Sequence, residues 1–253
     1  MEQLAAKKDV IERLQREVLS LQRLNKPSGY QNRSTRFGSL ESAFPDKTFP
    51  TGVIHEFISY IPEEATATNG FIAGLLNCFM QNNGVCLWIS TKRTVFPPVL
   101  KIFGIEPDKI IFVDLVKPKD ALWAIEEALK CEVLSAVIGE LQELNFTQSR
   151  RLQLAVEQSK VTGFIHRYYP RSENITACVT RWKIKPVASI VEENMPGIGL
   201  PRWDVQLLKV RNGKPATWQI EWSGNSFTYT GNSFTYIREE ILSISGTQKL
   251  KTG

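Results

Sequence analysis

The chain is short of the residues that carry most enzymatic and metal chemistry. Among 253 residues there are two histidines and four cysteines. Cys78, Cys86, Cys131 and Cys178 are widely spaced and form no C-x-x-C pair, which argues against a zinc knuckle or a redox motif; they read as reduced core residues. His55 and His166 have no cysteine pair nearby, so the spacing supports no metal site, and no cofactor is expected. No apolar run approaches the roughly 20 residues of a membrane span. The N-terminus, MEQLAAKKDVIERLQREV, is charged and helix-patterned rather than signal-like, so a soluble, cytoplasmic protein is expected. Glycine and proline number only 16 and 13, which with 42% hydrophobic and 23% charged residues excludes collagenous and disordered chains. At roughly 150 residues per domain, the length fits one large domain, alone or with an appendage.

The net charge of +5 is unevenly spread. Residues 1–50 carry 9 basic and 6 acidic groups, 51–150 carry 8 and 12, and 151–253 carry 14 and 8. A basic C-terminal part suits nucleic acid, an acidic partner or simply a mixed solvated surface, whereas the acidic middle repels phosphate.

Residues 1–24 place Leu4, Ile11, Leu14, Val18 and Leu21 at helical intervals among charged residues, the pattern of an amphipathic helix that docks either on the body or on a partner. Residues 25–36, NKPSGYQNRSTR, read as a linker. From residue 37 to 237 the pattern is that of a core, and 238–253 reads as a flexible tail. Within the core, strands are predicted at Val53–Ser59, Val85–Ser90, Ile110–Asp114, Leu134–Ile138 and Gly163–His166. Helices are predicted around Gly70–Gln81, Val95–Phe103, Lys119–Lys130 and Thr147–Lys160. This alternation predicts an α/β fold with a mostly parallel sheet flanked by helices.

Beyond Ala177 the strands lose their helices, which predicts antiparallel C-terminal strands. Asn212-Gly213 is suited to a two-residue hairpin turn, which sets Leu207 opposite Trp218, Val205 opposite Ile220 and Trp203 opposite Trp222. That register makes one face apolar but pairs Asp204 with Glu221, a like-charge contact. A direct repeat follows, GNSFTYT at 224–230 and GNSFTYI at 231–237. It is either a tolerated insertion or a small hairpin presenting Phe227, Tyr229, Phe234 and Tyr236.

A sheet that opens with strand, loop and helix invites a phosphate loop after the first strand. That chemistry needs G-x-x-x-x-G-K-[ST], so that backbone amides, a lysine and a hydroxyl surround the phosphates and Mg²⁺. Here the corresponding region contains Pro62, Glu63, Glu64, Thr66 and Asn69, and no lysine lies between Lys47 and Lys92. The two glutamates oppose a triphosphate. The amides around Thr66–Gly70 leave a weak anion site open. No aspartate closes the apolar strand AVIGEL; Glu140 reads as a solvated loop carboxylate, or as one holding a metal through water. No nucleophile with a positioned base is identifiable, so no enzyme signature is present.

The order GVIHEFIS, FIAGLLNCF, VCLWIS, IFGIEPDKIIFVDL, DALWAIEEALKC, SRRLQLAVEQSKVTGFI, TRWKI and PRWDVQLLKVRNGKPATWQIEW resembles the ImuA family, over about Phe37 to Trp222. The resemblance implies a RecA-like fold and an accessory role in SOS-induced mutagenesis and error-prone translesion synthesis. It also implies partners: an ImuB-like Y-family polymerase adaptor, an error-prone DnaE-type polymerase and RecA. Because the Gly-Lys-Thr of the phosphate loop is missing, RecA's nucleotide-site residues do not carry over, and binding rather than catalysis is expected. The alternatives are an ATP-binding RecA paralogue with a degenerate loop and a cell-division inhibitor of the SulA kind, which also resembles RecA in fold and binds FtsZ.

Arg150 and Arg151, on the helix SRRLQLAVEQ, face either solvent, a partner or DNA phosphates. Arg181, Lys183, Lys185, Lys209, Arg211 and Lys214 alternate with tryptophans assigned to the core, leaving the cations as phosphate contacts of a weak or indirect, salt-dependent kind. His55, inside an apolar strand, and His166 are read as structural.

Overall fold

A computed structural model describes residues 37–45, 47–80, 84–190, 199–230 and 235–236. The predicted N-terminal helix, the linker and the tail lie outside the described residues. In chain order the elements are β1 (Ile54–Ser59), α1 (Pro62–Phe79), β2 (Val85–Ser90), β3 (Ile110–Asp114), α2 (Pro118–Leu129), β4 (Leu134–Leu141), α3 (Phe146–Ser159), β5 (Thr162–Tyr168), β6 (Thr180–Val187), β7 (Arg202–Val210), β8 (Ala216–Ser223), β9 (Ser226–Tyr229) and β10 (Thr235–Tyr236). Three 3₁₀ segments join them, at Gly38–Ala43, Pro97–Phe103 and Pro107–Lys109.

The strands form one ten-stranded sheet in the order β10-β8-β7-β6-β1-β5-β4-β2-β3, with β9 also pairing β8. From β3 to β6 every pairing is parallel, and from β6 onward every pairing is antiparallel. β1 lies in the middle of this sheet, between β5 and β6, and all six of its residues are buried. Its buried side chains accordingly include the polar His55, Glu56 and Ser59 beside Ile54, Phe57 and Ile58.

Alternate side chains along each strand enter different cores. Phe57, Trp88, Ile138, Phe164 and Trp182 point to the face covered by α1, together with Phe71 and Trp203. Ile54, Ile89, Val137 and Ile165 point to the other face, against Ile125 of α2 and Leu152 of α3. In the first core the fully buried Trp182 ring lies 6.1–6.3 Å from the rings of Phe44, Phe49, Phe57, Phe71 and Trp218. These separations fall in the favourable range for aromatic pairs.

The structure moves several predicted boundaries. α1 begins at Pro62, not near Gly70: proline is pre-organised for the first helical position, and Glu63 and Glu64 in the first turn complement the helix dipole. The helix predicted over Val95–Phe103 is a 3₁₀ segment opened by Pro97 and closed by Gly104 at φ 73°. Cys131 is exposed, the other three cysteines are buried, and none of the four forms a disulfide.

The hairpin register also differs. Leu207 faces Ala216, Val205 faces Trp218 and Trp203 faces Ile220, a slip of two residues from the sequence expectation. Asn212 has φ 59°, but Gly213 is not left-handed, so the two-residue turn does not form. Instead Arg211 N donates to Val179 O and Lys214 N to Ala43 O, tying the turn to its neighbours. An even slip keeps every side chain on its face, so Trp203, Val205, Leu207, Trp218, Ile220 and Trp222 still enter the core. It also replaces the like-charge contact: Asp204 now faces Gln219, and Glu221 faces Arg202 at 3.7 Å.

The two-residue turn occurs further on, at Gly224 (φ 56°) and Asn225 (φ 61°), where Ser223 pairs with Ser226. The first repeat copy pairs with Ile220–Ser223 of β8, and Thr235 and Tyr236 of the second pair with Thr217 and Ala216 of the same strand. Phe227 is buried against Trp222 and Phe71. Tyr229 Oη donates to Phe37 O and accepts from Leu40 N. The first copy is therefore a packing element and not a displayed one; the side chains of Phe234 and Tyr236 lie outside the described residues.

Candidate functional site

In open α/β sheets the place for ligands is the carboxyl end of the parallel strands. Here that end holds Ser59 of β1, His166 of β5, Glu140 of β4, and Ser90 and Asp114 of β2 and β3. The phosphate-loop position is filled by the chain itself. Only Tyr60 and Ile61 separate β1 from α1, so Pro62, Glu63, Glu64, Thr66 and Asn69, expected as a degenerate loop, form the first turns of the helix. A loop able to wrap a phosphate needs several free amides, and this connection has two residues. Glu64 Oε2 accepts from Tyr60 N at 2.9 Å and Glu64 Oε1 lies 3.4 Å from Lys183 Nζ, so a carboxylate of the chain already occupies the helix entrance. Thr66 donates back to Pro62 O, and the anion site left open around Thr66–Gly70 has become helix interior.

Behind this entrance runs a polar chain, buried at Ser59, Thr68 and His166 and reaching the surface at Thr94. Ser59 Oγ is 2.9 Å from both Thr68 Oγ1 and His166 Nε2; His166 Nδ1 is 3.0 Å from Asn69 Oδ1, and Asn69 Nδ2 donates to Thr94 Oγ1 at 3.1 Å. With Asn69 Oδ1 accepting, His166 carries its proton on Nδ1 and takes the Ser59 hydroxyl hydrogen on Nε2; burial lowers its pKa to about 3, so the ring is neutral. Serine, histidine and asparagine thus line up as in a hydrolase, an arrangement not legible in the sequence. Ser59 is fully buried beneath Thr68, so no substrate carbonyl reaches it and the chain acts as a brace between β1, β5 and α1. His55 is held in the same manner: Nε2 donates to Pro50 O at 3.0 Å, Nδ1 accepts from Thr180, and burial lowers its pKa to about 3.

Glu140 is not a solvated loop residue. It lies inside β4, buried, with Oε1 accepting the Trp88 indole N–H at 2.7 Å. Burial, reinforced by the Asp114 charge, raises its pKa to about 7 against the opposing Trp88 hydrogen bond. Asp114 itself is clamped by Arg93, which also stacks over Phe112 at 4.6 Å. Among the described residues no group of three or more His, Cys, Asp or Glu is placed to hold a metal ion.

On the opposite face, fully buried Glu56 accepts from Arg167 Nη1 at 2.9 Å, from Arg181 Nε at 2.8 Å and from Thr176 Oγ1 at 2.8 Å. A buried charge network of this kind costs desolvation and is retained only when its charges are paired. It fixes the β5–β6 connection. That connection opens at Tyr169, whose φ of 52° is a strained value for a side chain of its size.

Of the predicted phosphate contacts, Arg181, Lys183 and Lys185 alternate along β6 with Lys209 opposite Arg181, whereas Arg150 and Arg151 lie apart on α3. Arg150 pairs with Glu157 and Arg151 with Glu126 on the helical face. Arg181 and Lys183 are engaged by Glu56 and Glu64, while Lys185 faces Asp204 across the β6–β7 ladder. Lys209 Nζ donates to Thr176 O and Arg211 to Ala177 O, and Lys214 is exposed at the β7–β8 turn. Leu4, Ile11, Leu14, Val18 and Leu21 lie outside the described residues. No described helix is long and apolar enough to cross a membrane.

Comparison with known proteins complements this geometry. No protein-family model matches the chain. It is 27% identical over 122 residues to the cell division inhibitor SulA of Yersinia pestis, covering 48% of this chain and 71% of that protein. It is 29% identical over 195 residues to Protein ImuA of Caulobacter vibrioides, covering 72% of this chain and 80% of that protein. The motifs noted in the sequence and the length of this second match agree, and both make the chain similar to ImuA.

Proposed function

We propose that the protein is a non-catalytic adaptor of RecA-like fold in the SOS DNA-damage response, supporting error-prone translesion synthesis through protein–protein contacts. Its relation to ImuA supports the link to damage-induced mutagenesis. One observation carries the non-catalytic part: β1 passes into α1 through Tyr60 and Ile61 alone, and Glu64 fills the helix entrance where a nucleotide's phosphates would have to sit. The partners in this reading are an ImuB-like Y-family polymerase adaptor and a DnaE-type polymerase, with RecA as a further contact. The N-terminal stripe of Leu4, Ile11, Leu14, Val18 and Leu21 is one partner surface. DNA is met weakly or indirectly, through Arg150, Arg151, Arg181, Lys183, Lys185, Lys209, Arg211 and Lys214.

The test uses the full chain as bait in DNA-damaged cells, repeated with residues 1–36 deleted, alongside an ATPase assay with and without single-stranded DNA. Recovery of a polymerase-associated partner with no hydrolysis above background is the expected result. DNA-stimulated turnover that survives repurification, or recovery of no such partner, overturns the reading. Loss of the partner on deletion assigns the contact to the N-terminal segment.

The match to SulA favours a second reading, inhibition of cell division. Overexpression separates the two. Filamentous cells without division rings support the inhibitor; normal division with an altered damage-induced mutation frequency supports the adaptor.

A further inference from the structure

The first repeat copy is seated on the body almost residue by residue. Gly224 and Asn225, at φ 56° and 61°, make the turn out of β8, and Ser226 Oγ donates back to Ser223 O at 3.0 Å. The Phe227 ring lies 5.0 Å from that of Trp222 and 5.2 Å from that of Phe71. It rests against Gly74, where a Cβ would stand 2.7 Å from it. The Tyr229 ring covers Gly38, where a Cβ would come within 2.5 Å, and its hydroxyl accepts from Leu40 N at 3.1 Å. Turn, gaps over glycine and hydroxyl partner together select a Gly-Asn-Ser-Phe-x-Tyr series.

The chain carries that series twice. Residues 231–236, GNSFTY, repeat 224–229 without a change, and the copies part only at their last position, Thr230 against Ile237. Tyr236 of the second copy stands opposite Ala216, whereas Tyr229 of the first stands opposite Ile220, so the two lie on β8 in different registers. In an ordinary strand a slip of seven residues, an odd number, turns every side chain to the wrong face. Here the same slip returns the same residue to each position.

We propose that the two copies exchange in the seat that β9 occupies on β8, so that the C-terminal strand has two native registers seven residues apart. In the second register, residues 224–230 join the β8–β9 loop and the chain leaves the seat at Arg238 instead of Gly231, which draws the C-terminal stretch in by seven residues. Loop length decides which register leads. The connection between the paired serines grows from two residues to nine, and closure entropy that rises as (3/2)RT ln n makes this about tenfold in population. Thr230 adds to the bias: its Oγ1 accepts from Arg202 Nη2 at 3.1 Å, and the Ile237 side chain has no acceptor. The first register is therefore the major one, and the second stands in reserve for a first copy that is damaged or pulled away. This exchange does not depend on the adaptor reading.

The test is a double-mutant cycle on the full chain, read by urea unfolding. Without exchange, Phe227→Ala would raise the unfolding constant at least about a hundredfold, as emptying a core phenylalanine site does. Phe234→Ala would then have the same effect with or without it. With exchange, Phe234 takes the vacated site, and Phe227→Ala is expected to raise the constant only about ten- to thirtyfold. The effect of Phe234→Ala is expected to be at least about fivefold larger in the Phe227→Ala background than in the parent. As a direct readout, a single 4-fluorophenylalanine at position 234 of the Phe227→Ala chain should take the fluorine resonance that the same label shows at position 227 of the parent. Deletion of residues 224–230, which joins the second copy to Ser223, is expected to leave a cooperatively folding chain. Equal effects of Phe234→Ala on both backgrounds, a signal at position 234 that Phe227→Ala does not move, or failure of either variant to fold overturns the exchange. Unfolding constants that vary with protein concentration would put the copy in another molecule's seat and overturn it as well.

Discussion

At Glu140 the strand carries a carboxylate two residues past Ile138 into a layer where its neighbours are Trp88 and, across the β4–β5 ladder, His166. Its pKa of about 7, against an ordinary 4.5, means that the folded protein holds a proton there that the unfolded chain releases. A carboxyl raised in the folded state loses stability as pH climbs from about 4.5 through about 7, by at most about 3 kcal/mol. His55 and His166 shift the other way: buried neutral, they lose stability as pH falls below about 6.5. The clean observable is therefore the difference between parent and Glu140→Gln, in which the histidine effects cancel and the Trp88 hydrogen bond is kept. That difference, from urea unfolding, is expected to be near zero at pH 4 and to reach about 2–3 kcal/mol in favour of the variant at pH 8. A flat difference across this range would show that Glu140 is solvated. Nothing in AVIGEL signals this, because an acidic residue at a strand end looks the same whether it faces water or a tryptophan.

Within elements, α1 shows where local rules and tertiary packing disagree. Gly74 lies in mid-helix, where alanine is ordinarily better by up to about 1 kcal/mol. A Cβ there would stand 2.7 Å from the Phe227 ring and 3.0 Å from Trp222, both well-packed side chains. Gly74→Ala is expected to lower stability by about 1–3 kcal/mol, the range for overpacking, measured by thermal or denaturant unfolding. A gain in stability would mean that β9 does not press on α1 as described. The contact joins the helix that replaces a phosphate loop to the first copy of the GNSFTY repeat, which explains why that copy is structural. The hairpin teaches a related lesson. Its apolar face was legible, since an alternation of Trp203, Val205 and Leu207 survives any even slip. Its register was not, because Asn212-Gly213 is a turn signal whose outcome depends on Val179 and Ala43, residues far away in the chain. The turn that did form, Gly224-Asn225, was readable by the same chemistry.

For the whole molecule, the two cores share one sheet and should open together. Cys78 and Cys86 lie buried in one core and Cys178 in the other, whereas Cys131 is exposed. A thiol reagent is expected to modify Cys131 at once and the other three together, at the rate of global unfolding. Separate rates for Cys178 and the Cys78–Cys86 pair would show that the two faces of the sheet unfold independently.

The sequence by itself determined the alternation of strands and helices, because burial on both faces of a parallel sheet writes itself into runs such as VCLWIS and AVIG. It also determined the apolar side of the C-terminal strands and the absence of a phosphate-loop Gly-Lys-Thr motif after the first strand. Only the tertiary structure decided what stands in that loop's place, since a Pro-Glu-Glu start becomes a closed entrance only when Lys183 and Tyr60 meet Glu64. The same holds for Ser59, His166 and Asn69. Polar residues far apart in sequence become a satisfied chain through the positions of their neighbours rather than through any pattern of their own.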